Sequence, residues 1–123
     1  MVDMKHIITH ENMAKLISVY YKGQENKDVK VNLHNGEDGY ISVGVMEVIN
    51  SNGIKRHNIR IINKDRFEKI VSDIYGLAGQ QVTGIVNYGE VGTTVYDCGS
   101  TKIVTPELAN HVVVTTKQKV LTR

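Results

Sequence analysis

The chain is poor in several things at once. Among its 123 residues there is one cysteine, one proline, one phenylalanine and no tryptophan. A single cysteine, Cys98, excludes an intrachain disulfide and a thiolate zinc cluster, and it fits a reducing, cytoplasmic compartment. No apolar run approaches the roughly 18 residues of a membrane-spanning helix. The opening Met1-Val2-Asp3-Met4-Lys5 has no signal-peptide core, so no membrane is expected among the partners. Charge of one sign is scarce as well: 15 Lys/Arg against 13 Asp/Glu leave +2, too little by itself to mark a nucleic-acid binder. What remains is 41% hydrophobic and 23% charged. A chain of that kind forms one domain, 1–123, and buries about two-thirds of its unfolded surface.

Two segments have helical spacing. In the first, Thr9 through Lys22, Thr9 is an N-cap because its hydroxyl accepts from a first-turn amide. Glu11 puts negative charge near the positive end of the helix dipole. Met13, Leu16, Ile17 and Tyr20 share one face, and Gly23 is the expected stop. In the second, Asn63 through Tyr75, Asn63 caps and Asp65 sits in the first turn. Phe67, Ile70, Val71 and Ile74 form the stripe, and Gly76 follows it. Ile8 and Ile62 precede the caps as hydrophobic staples onto Met13 and Phe67.

The segments superpose at an offset of 54: Lys15 on Lys69, Ser18 on Ser72, Tyr21 on Tyr75. Asn35-Gly36-Glu37-Asp38-Gly39 aligns with Tyr88-Gly89-Glu90-Val91-Gly92 at 53, and His57 with His111 at 54 again. Fixed-offset self-similarity predicts an internal repeat, over about 5–58 and 59–116, with 117–123 as a basic tail.

Between and after the helices the period changes to two. Val29, Val31 and Leu33 alternate with Lys30, Asn32 and His34. Tyr40 to Ile49 is a β-rich run in which Gly44 marks a bulge, and Ile54 to Ile61 is a third strand. Asn35-Gly36, Asp38-Gly39 and Asn52-Gly53 are hairpin-turn dipeptides. Gln81 to Tyr88 and Thr93 to Cys98 read as a hairpin around Gly89–Gly92. Thr105-Pro106-Glu107-Leu108 reads as a cap and first turn of a short helix, and His111 to Thr116 as the last strand. The expected fold is α+β: a tandem α-β-β-β repeat with antiparallel sheet or sheets and two main helices packed on one face.

On the face away from the helices this phase puts Lys30, Asn32, His34, Arg56, Asn58 and Arg60 in the first half, with Ile59 and Ile61 toward the helices. In the second half it puts Thr83, Ile85, Asn87, Val112 and Val114 there. One half is then cationic and the other apolar, and exposed Val and Ile call for a partner or self-association. In element order the layout is similar to the PUR and Whirly proteins. That similarity implies a duplicated sheet binding single-stranded nucleic acid.

Charge is unevenly spread. Residues 50–72 hold six Lys/Arg against two Asp/Glu, a local +4. This segment reads as an anion site for phosphates, as an acidic-partner site for Lys55, Arg56 and Arg60, or as a solvated surface with local pairs such as Asp65–Lys69. The tyrosines Tyr40, Tyr88 and Tyr96 are strand residues on which a base could stack.

Signals for catalysis are weak. His6 and His10 straddle the Thr9 cap, so they do not share the helical face that four-apart metal ligands need. Cys98 has no sequence signature of a nucleophile. Gly89-Glu90-Val91-Gly92-Thr93-Thr94 lacks the lysine and strand-to-helix setting of a phosphate loop. The expectation is a small non-enzymatic binding protein without cofactor or metal, forming a homo-oligomer. It would hold an anionic ligand, a nucleotide or nucleic-acid strand, through Lys55, Arg56, Arg60, Lys30 and Asn58. The alternative is a protein-interaction module, an inhibitor or accessory subunit, acting through an apolar sheet face.

Overall fold

A computed structural model describes residues 3–35, 41–97 and 99–119. The Asp38-Gly39 turn, Tyr40, Cys98 and the end of the basic tail lie outside the described residues. The elements run β1 (Met4–Thr9), α1 (His10–Glu25), β2 (Val29–Asn35), β3 (Ile41–Ser51), β4 (Ile54–Ile62), α2 (Lys64–Leu77), β5 (Gln80–Tyr88), β6 (Thr94–Asp97), β7 (Ser100–Ile103) and β8 (His111–Gln118). The fold is α+β, with two helices and antiparallel ladders in the orders β2-β3-β4, β1-β8-β5 and β6-β7.

The helix starts follow from their caps. Thr9 Oγ1 accepts from the Asn12 amide at 3.1 Å, and Asn63 Oδ1 accepts from the Arg66 amide at 2.9 Å. The ends differ from expectation. Gly23 lies inside α1, which runs on until Asn26 adopts the left-handed conformation at φ 53. Its amide then returns to Lys22 O at 3.1 Å. Gly76 lies inside α2, and Gly79, at φ 79, follows the helix end. Asparagine tolerates positive φ through local hydrogen bonding of its side chain, so it replaces the expected glycine stop in α1.

One core joins both helices to the two larger sheets. Met13, Ile17 and Tyr21 of α1 and Phe67, Ile70 and Val71 of α2 meet Val31, Ile41, Val43, Val45, Val112 and Val114. The α1 stripe is therefore Met13-Ile17-Tyr21, while Leu16 and Tyr20 sit at its margin. Tyr20 instead donates its hydroxyl to Asp73 at 2.9 Å, tying α1 to α2.

The strands that follow the two helices are ordered differently. After α1, β2-β3-β4 form a meander. After α2, β5 pairs with the distant β8, and β1 pairs with the other edge of β8. The expected hairpin between Gln81–Tyr88 and Thr93–Cys98 does not form: β6 pairs with β7, and the short helix at Thr105–Leu108 is only a turn. Gly44 carries no bulge, since the β3 ladders run one-to-one on both sides of it. The irregularity falls at Val82/Gly84 in β5.

The 89–110 excursion covers the second face of the β1-β8-β5 sheet. Val95 and Val104 pack there on Tyr88 and Val113, and Tyr88 donates to Asp97 at 2.8 Å. Val112 and Val114 were expected on an open face and are fully buried in the main core instead. Ile85 also faces that core, and Asn87 is paired with Val112 on the same side. Among the described residues of the second half, the segment that carries the β6-β7 hairpin covers this face.

Candidate functional site

Strand β4 is built by its turn and its alternation. Asn52 and Gly53 both have positive φ, 53° and 78°, the geometry of a two-residue hairpin loop whose twist matches its strands. The ladder then runs without interruption from Ser51↔Ile54 to Val43↔Ile62. This register fixes which side of β4 faces where. Val43 and Val45 point into the core, so their partners Ile62 and Arg60 lie on the helix side, together with Arg56 and Asn58. Ile59 pairs with Met46 and Ile61 with Gly44, and these lie on the open side with Lys30, Asn32 and His34.

The expected phase of β4 is thus inverted: the arginines and Asn58 are on the helix side, and Ile59 and Ile61 face solvent. The arrangement is tolerated because neither described helix covers β4. α1 packs chiefly on β2 and α2 chiefly on β5, and every residue from Ile54 to Ile61 is exposed. Arg56 and Arg60 can reach water from the helix side by extending past the sheet edge. Ile59 and Ile61 are 71% and 75% exposed.

The five site residues expected from sequence share one sheet but not one surface. Lys30 is on β2 opposite Met46, and Lys55 is near the far end of β4 opposite Asn50. Both are on the open side, about 13 Å apart along the strands and two strands apart across them. Arg56, Asn58 and Arg60 form a separate row on the other side. Among the described residues no salt bridge engages Lys55, Arg56 or Arg60. The local pair of α2 is Lys69–Asp73 at 4.0 Å, in place of the expected Asp65–Lys69.

The two edges of this sheet are treated differently. On β2, α1 lies alongside, and Ser18 donates its hydroxyl to Val29 O at 3.0 Å. A groove of about 470 Å³ remains there, walled by α1 residues such as His10 and Lys15 and by the β2 strand. On β4, no described element pairs with the outer edge. Beside it, on the open face, Ile59 and Ile61 rim a hollow of about 240 Å³ with Met46 and Gly44 at its floor. Sequence reasoning missed this hollow. Its signal was the run Ile59-Arg60-Ile61 itself, which offers an apolar and a cationic side and does not say which is inward.

His6 and His10 are engaged between elements of the fold. Thr116 is fully buried and donates its hydroxyl to Gln80 Oε1 at 2.9 Å. Its oxygen therefore receives the His6 Nε2–H, also at 2.9 Å. The His6 ring lies 4.8 Å from that of Tyr75. His10 donates Nε2–H to Asn87 Oδ1 at 2.7 Å, and burial holds its pKa below the ordinary 6.5, helped by the charge of nearby His111 and opposed by the Asn87 bond. Such contacts orient side chains between elements. They do not expose a nucleophile: Thr116 has no solvent-accessible surface. Among the described residues no three His, Cys, Asp or Glu side chains converge on a metal position. No described helix is long and apolar enough to cross a membrane.

Tyr88 is buried, so no base can stack on it, whereas Tyr96 is exposed on the β6-β7 hairpin. The Gly89–Gly92 segment is a turn that bridges to Asn110 and Val104 through backbone bonds. No family model, curated protein or solved structure matches the chain.

Proposed function

We propose that the protein is a non-enzymatic binding protein that takes an anionic ligand on β4 and the sheet edge it forms. The observation that carries this reading is the exposure of the whole run Ile54–Ile61, with Lys55, Arg56 and Arg60 outside any salt bridge among the described residues. Guanidinium groups bind carboxylate or phosphate with two parallel hydrogen bonds. Arg56 and Arg60, four apart on one side of a strand, offer two such forks about 13 Å apart.

The reading is tested by fluorescence anisotropy with two labelled polyanions, oligothymidylate and poly-glutamate, titrated with protein at 20 and 200 mM salt. Binding to at least one of them that weakens as salt rises is expected, with loss in the double variant Arg56→Glu/Arg60→Glu. Absence of binding to both, or binding indifferent to salt, refutes it.

A second reading, protein interaction through an apolar sheet face, is favoured by Ile59 and Ile61 beside Met46. The version resting on Val112 and Val114 is withdrawn, since both are core residues.

An internal duplication is also proposed, in a shifted phase. The unit is β-α-β-β rather than α-β-β-β, with β1-α1-β2-β3 equivalent to β4-α2-β5-β8. The sheet orders β4-β3-β2 and β1-β8-β5 then correspond strand for strand. The sequence supports this at the 54-residue offset: Ile7-Ile8-Thr9 falls on Ile61-Ile62-Asn63. In each pair the first isoleucine is exposed and the second packs on the core. The halves would have exchanged first strands, and β6-β7 would be an insertion in the second copy.

A further inference from the structure

We infer that the ligand of β4 is an acidic, extended polypeptide segment that joins the β2-β3-β4 sheet as a fourth strand; this rests on the reading that β4 is the binding surface. A strand at a sheet edge presents a row of unpaired amides and carbonyls, and proteins usually blunt such edges with proline, a bulge or a covering element. β4 has none of these. Its nine residues contain no proline, its ladder to β3 is unbroken, and no described element lies on its outer side. Its protection is charge of one sign, Lys55, Arg56 and Arg60. That charge repels basic edges and attracts acidic ones.

The distribution of side chains selects the kind of ligand. Arg56 and Arg60 lie on one side of β4, and Ile59, Ile61 and the 240 Å³ hollow lie on the other, with Lys55 further along that second side. A ligand lying on a single face meets only one of these sets. An added strand meets both, because its successive side chains alternate across the sheet. Acidic residues at every second position would pair with Arg56 and Arg60, and apolar residues between them would pack on Ile59 and Ile61. Nucleic acid is the weaker fit. Its phosphates would reach the arginines on one side only, and the exposed Tyr96 is on the β6-β7 hairpin rather than on this sheet. A second copy of the chain is also a poor occupant: antiparallel self-pairing centred on Asn58 sets Arg56 of each copy against Arg60 of the other, and like charges directly opposite are destabilising.

The test uses the full chain and a labelled nonapeptide of alternating Glu and Val with blocked ends. It is compared with a peptide of the same composition in which the Glu and Val residues are segregated in blocks, and with oligothymidylate. Two further versions of the alternating peptide carry N-methyl groups on the amides of one edge or of the other. The alternating peptide is expected to bind at least tenfold more tightly than the segregated one. One N-methylated version is expected to lose at least tenfold in affinity while the other is unaffected, since only one edge of an added strand faces β4. Arg56→Glu/Arg60→Glu and Ile59→Ser/Ile61→Ser should each weaken binding by a similar factor, with circular dichroism confirming that both remain folded. Equal binding of alternating and segregated peptides, or equal sensitivity to both methylation patterns, overturns strand addition. Oligothymidylate binding that depends on the arginines, without peptide binding, also overturns it yet leaves the anionic-ligand reading standing. Sedimentation showing a dimer that Ile59→Ser/Ile61→Ser converts to monomers makes a second copy the occupant and overturns it as well.

Discussion

Ile61 and Ile62 are neighbours in sequence with opposite surroundings, and replacing each by alanine tests the phase of β4 directly. Ile62 lies opposite the fully buried Val43 and packs on the main core. Truncating a buried isoleucine to alanine removes transfer energy and leaves a cavity, together about 2–5 kcal/mol. Ile62 is mostly but not wholly buried, so the lower end, about 2 kcal/mol, applies. Ile61 is 75% exposed. A quarter of the roughly 2 kcal/mol that full burial contributes is about 0.5 kcal/mol. Both variants lose a β-branched residue from the same strand, so the strand-propensity term cancels between them. The expected difference is therefore about 1.5 kcal/mol, read in urea unfolding as a midpoint about 1 M lower for Ile62→Ala at a slope of about 1.5 kcal/mol/M. In peptide or polyanion binding the order should reverse, with Ile61→Ala the more damaging. Ile61→Ala costing as much stability as Ile62→Ala would refute the assigned faces and, with them, the hollow beside β4.

Three other perturbations have definite expected outcomes. Burial lowers the His10 pKa in the folded chain, so the unfolded chain protonates first as pH falls. The stability tied to neutral His10 is complete above about pH 6.5 and declines below it, through the window down to the lowered folded value. In His10→Gln the drop in urea midpoint between pH 7.5 and 5.5 should be smaller than in the parent, and an identical drop rejects the assignment. Thr9→Ala and Asn63→Ala each remove a side-chain cap and should cost about 1 kcal/mol; a loss below the error of the denaturation curve for both would show that the caps are not used in solution. Tyr88→Phe deletes the hydroxyl that bonds Asp97 at 2.8 Å. It should cost about 1 kcal/mol and speed amide exchange in 94–103 more than in β3, whereas uniform acceleration would deny the hairpin its own anchor.

Much of the fold was legible where the signal is local. The caps Thr9 and Asn63, the Asn52-Gly53 hairpin and the stripe Phe67-Ile70-Val71 follow from chemistry within a few residues. Non-local pairing was not legible. β1 reads as a helix lead-in because its partner, β8, is more than a hundred residues away. The β-rich run 111–116 gives a strand but not its neighbours, so the placement of Val112 and Val114 on an open face went wrong. Val113 alternates with them, and the element that covers its side is the 89–110 excursion, whose turns resemble any surface hairpin. Among the site residues, the cationic run was visible as a local +4 in 50–72. Its division between two sides of β4 required the register.

The inversion of β4 has a physical cause that also bears on its role. Alternation assigns residues to two sides, and burial decides which side is inward. In β3, flanked by strands on both edges, burial decides sharply: Val43 and Val45 are fully covered while Ser42 and Gly44 are not. In β4 neither side is covered, so folding exerts little preference for isoleucine inward over arginine inward. The ladder to β3 settles the matter, through Ile62 against Val43 at one end and the Asn52-Gly53 turn at the other. Once those ends are fixed, Arg60 must follow Val45 to the helix side, and Ile59 and Ile61 must follow Met46 and Gly44 outward. Their exposure is not required by the core, and it forgoes roughly 1–2 kcal/mol of burial for each isoleucine. A threonine, β-branched as well, would satisfy the strand at either position. A ligand that covers β4 recovers that burial, which is why the exposed isoleucines and the arginines, in no salt bridge among the described residues, are best explained by the same occupant.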